Sequence, residues 1–306
     1  MTDDSGSVRY ARVEATGIDV AYETFGAAGA TPVVLVMGLG TQMIAWPDEL
    51  CRTLAQRGMF VIRHDNRDIG LSTHLDGIRA PSPQAVLFCR ARPPYLVEDM
   101  ALDTLGLLDA LGLLSAHLVG ASMGGFISQT VAIKAPLRVR SLTLMMTSTG
   151  SLRVGRPHAR TILAAVRRPR PANVEEAVDT VVETFRRIGS PGYPFDEPHV
   201  RDLARRSLAR SNDQAGFARQ LAAVLAQRDR TDALRALDIP TTVVHGLADR
   251  LVDPSGGRAL ARALAGARLV EVPGMGHDLP GPILGRFADE ITRTVAEGEQ
   301  RLASRR

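Results

Sequence analysis

Short apolar runs alternate with amphipathic segments along most of the chain, and this alternation restricts the fold more than any other feature. The apolar runs begin at residues 33, 59, 116, 141, 241 and 267, with the sequences VVLVM, MFVIRH, AHLVGA, SLTLMM, TTVVHG and ARLVEV. Strands that are apolar along their whole length are typical of a parallel sheet buried on both faces. Apolar residues at three-and-four spacing predict helices between most of these runs, over residues 49–56, 97–111, 123–134, 255–264 and 283–296. The sequence therefore predicts an α/β fold with a mostly parallel sheet.

Two regions depart from this alternation. The runs VRYARVEA and IDVAYETF flank Thr16 and Gly17 and predict an N-terminal antiparallel hairpin, which gives a sheet of about eight strands. Between the strands ending near Met146 and beginning near Thr241, no run has the strand pattern, and helices are predicted over 158–166, 174–188, 199–208 and 213–228. We predict an inserted helical region at residues 150–237, within a core formed by residues 1–149 and 238–306.

A second long interval, residues 72–94, is rich in proline and arginine. Loops of this length either carry a function or lack fixed structure, so we expect this one to cover a face of the sheet or to be mobile.

Composition limits the class of protein and its partners. The N-terminus lacks the features of a secretory signal, and no window of about 18 residues is apolar enough to span a membrane, so we expect a cytoplasmic protein without a membrane segment. The only cysteines, Cys51 and Cys89, are predicted to be core or loop thiols rather than part of a disulfide framework or a metal site. Residues 151–236 hold sixteen arginines against ten acidic residues, without interleaved aromatics. This pattern indicates solvated helix faces rather than nucleic-acid binding.

The segment VGASMGG contains a candidate nucleophile. Gly120, Ser122 and Gly124 fit the pattern G-x-S-x-G, which is weak evidence when it stands alone. Here an apolar strand ends at Ala121 and a helical segment begins at Met123. That context predicts a strained strand-to-helix turn that exposes the Ser122 hydroxyl at the carboxyl edge of the sheet. A glycine-rich turn that only packs is the alternative.

A serine nucleophile needs a base, and the base needs an orienting carboxylate. Of the seven histidines, His277 in GMGHDLP follows the last predicted strand and is the best candidate for the base. HGLADRLVDP offers two acids after the preceding strand, Asp249 and Asp253. We favour Asp249, since Asp253 precedes Pro254 and is placed to cap the next helix. The chain order serine, acid, histidine is that of the strand-to-helix elbow enzymes.

Stabilising a tetrahedral intermediate requires hydrogen-bond donors for its oxyanion. The backbone N–H of Met123, next to the nucleophile, is one predicted donor. The second is the N–H of Leu39 in MGLGTQ, where two glycines free the backbone to turn. An ordinary glycine turn is the alternative for this loop.

These motifs together resemble the α/β-hydrolase superfamily over nearly the whole chain. The resemblance rests on the elbow, HGLAD, GMGH, MGLG and DNRDIGLS, although many members carry His-Gly where this chain has Met37-Gly38. Since the donor there is a backbone amide, this departure affects the anchoring of the loop more than the chemistry. VMGLGTQMIAWPDEL and RHDNRDIGLST look like the subgroup that contains aclacinomycin methylesterase. The resemblance implies that the inserted helices form a cap and that the substrate is a carboxylic ester of polyketide-like character.

The predicted function is therefore a serine carboxylesterase acting through an acyl-enzyme on an apolar or bulky ester, polyketide-like or lipid-like. Methionines near the strand ends predict an adaptable apolar pocket bordered by Trp46, Met43 and Met146. No cofactor or metal is expected, the expected partner is a small-molecule ester, and a homodimer is compatible with the sequence. A lactonase, a cofactor-free perhydrolase and a catalytically silent ligand-binding homologue are the alternatives.

Overall fold

A computed structural model describes residues 7–88, 90–158, 161 and 171–304. Apart from residues 158 and 161, the helix predicted over 158–166 lies outside the described residues, and so does Cys89. No helix in the described part of the chain is long and apolar enough to cross a membrane.

Eight strands form one sheet. They are β1 (Arg9–Val13), β2 (Ile18–Phe25), β3 (Thr31–Val36), β4 (Met59–His64), β5 (Ala116–Ala121), β6 (Val139–Met145), β7 (Thr241–Gly246) and β8 (Arg268–Val272). Their spatial order is β1-β2-β4-β3-β5-β6-β7-β8, in which β1 and β2 are antiparallel and β3 to β8 are parallel. The predicted α/β fold with an N-terminal hairpin is confirmed.

Ten α-helices are described, and six of them lie outside the interval between β6 and β7. These six are α1 (Asp48–Gln56), α2 (Pro83–Leu87), α3 (Val97–Ala110), α4 (Met123–Lys134), α9 (Ser255–Ala263) and α10 (Leu284–Ser304). Successive strand residues point to opposite faces, so Val34 belongs to the apolar cluster that includes α3, α4 and α9, whereas Val33 belongs to the cluster that includes α1 and α10. Cys51 of α1 is fully buried, and burial raises the pKa of its thiol to about 12.

Two details differ from the sequence-based expectation. The last helix was expected to end at residue 296, but it continues to Ser304 because Glu299 accepts hydrogen bonds from Arg140 and lies 3.0 Å from His117 Nε2. In the 72–94 interval, the short helix α2 packs against helix Gln214–Ala226, so part of this loop covers neighbouring structure.

Four of the described helices lie between β6 and β7, and we call them the inserted helices. They are α5 (Val174–Ile188), α6 (Glu197–Arg210), α7 (Gln214–Ala226) and the unpredicted α8 (Thr231–Arg235). The Asn173 side chain accepts from the N–H of Glu176 and so caps α5 at its predicted start. Helices α5 and α6 pack together around Val178, Val182 and Ala204, a cluster separate from the two at the sheet.

Candidate active site

Asp249 and His277 lie together at the carboxyl edge of the sheet. His277 Nδ1 is 2.7 Å from Asp249 Oδ2, and both side chains are shielded from solvent, at 8% and 0% exposure. The other carboxylate oxygen of Asp249 accepts from the N–H groups of Leu251 and Val252, each at 2.8 Å. Because the carboxylate accepts a hydrogen bond from Nδ1–H, the proton of the neutral ring stays on Nδ1 and Nε2 is free to accept another proton.

Asp253, the alternative acid, has different partners. Its carboxylate accepts from the N–H of Ser255, the first residue of α9, and lies 3.8 Å from His158. A second histidine, His245, lies 3.6 Å from Asp249 through Nε2, which donates to the carbonyl oxygen of Val252 at 2.8 Å. Burial lowers the pKa of His245, so this neighbour stays uncharged and does not compete strongly for the carboxylate.

Ser122 occupies a strained turn between β5 and α4. Its φ of 54° and ψ of −118° lie in a region that residues with a Cβ adopt rarely. The turn is held by the Ser122 N–H, which donates to Met145, and by the Ser122 carbonyl, which accepts from the Thr147 hydroxyl. A Cβ on Gly124 would collide with the carbonyl oxygen of Val36, so only glycine allows α4 to start this close to β3.

The serine and the histidine are not hydrogen-bonded to each other. Within the described residues no hydrogen bond joins Ser122 Oγ to His277, although both residues follow strands that end at the same edge. Catalytic hydrogen bonds are often long before substrate binds.

The loop of residues 38–42 lies against Ser122. The position of a Cβ on Gly38 would be 3.1 Å from Ser122 Cβ and 3.6 Å from its hydroxyl oxygen. Within the described part of the chain, the N–H groups of Leu39 and Met123 have no hydrogen-bond acceptor. Two unpaired backbone donors on segments that flank a serine hydroxyl are suited to receive an anionic oxygen.

A model of the alpha/beta hydrolase fold matches residues 31–280, which is most of the chain. The chain belongs to the alpha/beta hydrolase family. The resemblance found in the sequence is thereby confirmed, and so is the prediction of a hydrolase.

Individual relatives agree with this assignment. The hydrolase is 31% identical to rhodomycin D methylesterase DauP of Streptomyces sp. (strain C5), over 84% of this chain and 88% of the relative. It is 27% identical to 3-oxoadipate enol-lactonase 2 of Acinetobacter baylyi, over 83% and 85% of the two chains. Among solved structures, a hydrolase from Pseudomonas aeruginosa PA01 superposes with a TM-score of 0.69 at 26% identity, covering 96% of this chain and 98% of the other.

The inserted helices of this hydrolase contact the 38–42 loop. Gly40 N donates to Gln220 Oε1 at 2.9 Å, and Gln42 Nε2 donates to the carbonyl oxygen of Ser207 at 2.7 Å. Arg210 donates to Gln42 and also to Asp65, whose carboxylate accepts from the N–H of Met43 just after the loop. The conformation of this loop therefore depends on α6 and α7 as well as on the sheet.

The loop that carries His277 is also held by the inserted region. The His277 N–H donates to the carbonyl of Ile188 at 2.7 Å, and the Gly276 N–H donates to the Ser190 hydroxyl at 2.8 Å. The Ser190 hydroxyl donates in turn to Asp278, and burial raises the pKa of that carboxyl group. The end of α5 and the segment after it thus hold the backbone N–H groups of Gly276 and His277 and the side chain of Asp278.

The predicted pocket residues are buried. Trp46 and Met43 are fully buried, and Met146 is 4% exposed with a φ of 50°, a second strained non-glycine position at this edge. Trp46 and Met146 belong to the apolar cluster that contains α1 and α10, beneath the sheet edge. Their part in a pocket stays a prediction.

One group of described side chains has the spacing of a metal site: Asp68, His74 and Asp213, whose ligand atoms lie within 4.8 Å of one another. Arg219 already forms two hydrogen bonds to Asp68, at 2.8 and 2.7 Å, and one to Asp213 at 3.1 Å. Because the guanidinium supplies the positive charge that these carboxylates need, the cluster is an ion-pair network between the core and α7.

Arginines of the inserted helices fall into two groups. On exposed faces they pair with nearby acids, as Arg205 does with Glu175 and Arg206 with Asp202, which agrees with the expected solvated faces. Arg219 is 2% exposed and Gln220 is fully buried, and the sequence analysis missed both. The acids of DNRDIGLS are a weak sequence signal for Arg219, since buried acids need partners, but Arg219 lies about 150 residues from Asp68. They give no signal for Gln220, which donates to the backbone carbonyl of Arg67.

Proposed function

We propose that this hydrolase cleaves carboxylic esters with Ser122 as nucleophile, His277 as base and Asp249 as the acid that orients the histidine. The observation that carries this proposal is the 2.7 Å contact between Asp249 and His277, at the same sheet edge as a serine held at a φ of 54°. Serine, base and orienting acid form the minimal set that activates a hydroxyl nucleophile.

In the first half-reaction, His277 Nε2 takes the proton of the Ser122 hydroxyl as Oγ bonds to the ester carbonyl carbon. The carbonyl oxygen becomes an oxyanion, which accepts hydrogen bonds from the N–H groups of Leu39 and Met123. The C–O bond to the alcohol then breaks, His277 returns the proton to the leaving alkoxide, and an acyl-enzyme remains. Each oxyanion donor is worth about 3–4 kcal/mol of barrier in other serine hydrolases.

In the second half-reaction, water occupies the place of the alcohol. His277 takes a proton from the water as its oxygen bonds to the acyl carbon, and the same amides stabilise the second oxyanion. Breaking the bond to Ser122 Oγ releases the carboxylic acid, and the proton on His277 returns to the serine. Asp249 keeps the imidazole oriented and stabilises its positive charge in both halves.

We propose that the substrate is an apolar or bulky ester, polyketide-like or lipid-like, bound between the sheet edge and a cap at residues 150–237. The similarity to a rhodomycin D methylesterase supports a methyl ester of a bulky acid. The cytoplasmic location and the homodimer stay predictions.

Lactone opening is a second candidate, because one relative is a 3-oxoadipate enol-lactonase. Esters and lactones acylate the serine by the same chemistry. The alcohol leaves when an open-chain ester reacts, whereas in a lactone it stays attached to the acid.

A fluorophosphonate probe followed by peptide mapping tests the proposal. We expect labelling at Ser122 in the parent protein and none in Ser122→Ala. Ser128→Ala is a matched control, because this serine lies on α4, the helix that follows Ser122, and its hydroxyl donates to the backbone of Gly124. We expect Ser128→Ala to be labelled like the parent. If the folded parent is not labelled, the ester hydrolase proposal is wrong and a silent binding protein becomes the better explanation.

Substrate class is tested with methyl esters of polycyclic aromatic acids, acyl esters of increasing chain length and macrolide-type lactones. Higher kcat/KM for the methyl esters than for the lactones supports the ester proposal. The reverse order favours the lactonase.

A further inference from the structure

Gln220 is a fully buried amide on α7 that joins the inserted helices to the 38–42 loop. Its Oε1 accepts from the Gly40 N–H at 2.9 Å, and its Nε2 donates to the carbonyl oxygen of Arg67 at 2.7 Å. A primary amide is a neutral side chain that can accept from one backbone group through its oxygen and donate to another through its nitrogen at the same time. Both ends of Gln220 are therefore used by backbone groups of the core.

The 38–42 loop has few restraints of its own. Its internal hydrogen bonds are the Thr41 N–H to the Gly38 carbonyl at 3.3 Å and the Thr41 hydroxyl to the Leu39 carbonyl at 3.1 Å. Gly40 adopts a φ of 64°, and a Cβ there would collide with the Phe217 ring of α7. A five-residue loop with glycines at its first and central positions has many accessible conformations, so outside contacts decide which one is populated.

The Gly40 N–H belongs to the peptide unit that directly follows Leu39. Holding this unit in place restricts rotation about the Leu39 backbone and with it the direction of the Leu39 N–H. The neighbouring Arg219 is bound to Asp68 through two hydrogen bonds, which fixes α7 against the core. Gln220 therefore lies on a helix that is anchored to the core, which keeps its Oε1 in place beside the loop.

We infer that Gln220 is a positioning residue, which holds Gly40 so that the Leu39 N–H points at the oxyanion of the reaction. The inference rests on the proposed function, because it assigns Leu39 as an oxyanion donor. Its consequence is that the inserted helices contribute to transition-state stabilisation without touching the reacting atoms.

Gln220→Met tests this inference, because methionine has a similar length and fills the buried site without either hydrogen bond. We expect kcat for an activated ester such as a 4-nitrophenyl ester to fall about ten- to thirtyfold, less than the loss of a whole oxyanion donor, with KM changed less than about twofold. Val224→Ala is the matched control, since Val224 lies one turn further along α7, packs against the core and has no side-chain hydrogen bond to the loop. We expect Val224→Ala to lower thermal stability while leaving kcat near the parent value.

Hydrogen–deuterium exchange gives a readout that does not depend on catalysis. In Gln220→Met, the peptide containing residues 37–42 should exchange faster than in the parent and in Val224→Ala. The inference is wrong if exchange in this peptide is unchanged, or if kcat falls only as far as it does in Val224→Ala. If the fluorophosphonate does not label the parent protein, the proposed function is wrong and so is the catalytic role of Gln220. Faster exchange of residues 37–42 in Gln220→Met would then show that Gln220 only stabilises the structure of the loop.

Discussion

Two parts of the candidate site are held by different regions of the molecule. Asp249 and Ser122 are held by the ends of strands and the loops that follow them. Asp249 accepts from the N–H groups of Leu251 and Val252, and the backbone of Ser122 is hydrogen-bonded to Met145 and Thr147. The His277 loop and the 38–42 loop are hydrogen-bonded to the inserted helices and the segment after α5. Substituting Ser122 or Asp249 should remove a group that takes part in the reaction. Substituting the residues that hold the His277 loop and the 38–42 loop should shift these loops and leave the reacting groups present.

The largest effect should come from substituting Asp249. Asp249→Asn should lower kcat by about 10⁴-fold, the size measured for the equivalent change in other serine hydrolases, because an amide can hold the histidine in the wrong tautomer. The measurement is kcat for an activated ester. Asp253→Asn is the control, and we expect it to change kcat by less than about threefold, since Asp253 contacts the start of α9. A larger loss in Asp253→Asn would mean that we assigned the wrong acid.

The second largest effect should come from the ion pair that attaches the inserted helices to the core. Arg219→Met leaves the fully buried Asp68 without its bidentate partner, so we expect the free energy of unfolding to fall by about 3–5 kcal/mol. Denaturant unfolding measures this, and adding Asp68→Asn in the same chain should recover part of the loss.

Arg205→Met serves as the comparison, because Arg205 pairs with Glu175 on an exposed face. We expect its unfolding midpoint to stay close to that of the parent. If Arg219→Met is no more destabilising than Arg205→Met, the buried ion pairs do not hold the inserted helices in place.

The smallest effect should arise at the His277 loop. Ser190→Ala removes the acceptor for the Gly276 N–H and the donor to Asp278, so we expect kcat to fall about five- to tenfold, the equivalent of roughly one hydrogen bond. KM should change little, because the serine contacts the loop rather than the reacting atoms. Thr180→Ala on α5 is the control, since its hydroxyl donates only to the preceding turn at Glu176. Equal kcat values for the two variants would show that the sheet alone holds this loop.

The strands and the elbow were predictable because their signals are local. The boundaries of β4, β5 and β7 match the apolar runs, since a strand buried on both faces is apolar along most of its length. The turn at Ser122 was predictable because the glycines around it are required by the close approach of β3 and α4. The extension of α10 to Ser304 was missed because the hydrogen-bond partners of Glu299 lie on β5 and β6, more than 150 residues earlier in the chain.

The sequence by itself determined the sheet, the chain order of Ser122, Asp249 and His277, and the family. These features depend on side-chain periodicity and on glycines at fixed spacing, which are properties of short segments. Only the tertiary structure decided how the flexible loops are held. Gly40 and Gln220 are 180 residues apart in the chain, and Ser190 and Asp278 are 88 apart. Such pairs form because packing brings their segments together, and a single hydrogen bond between distant polar residues leaves no periodic pattern in the sequence.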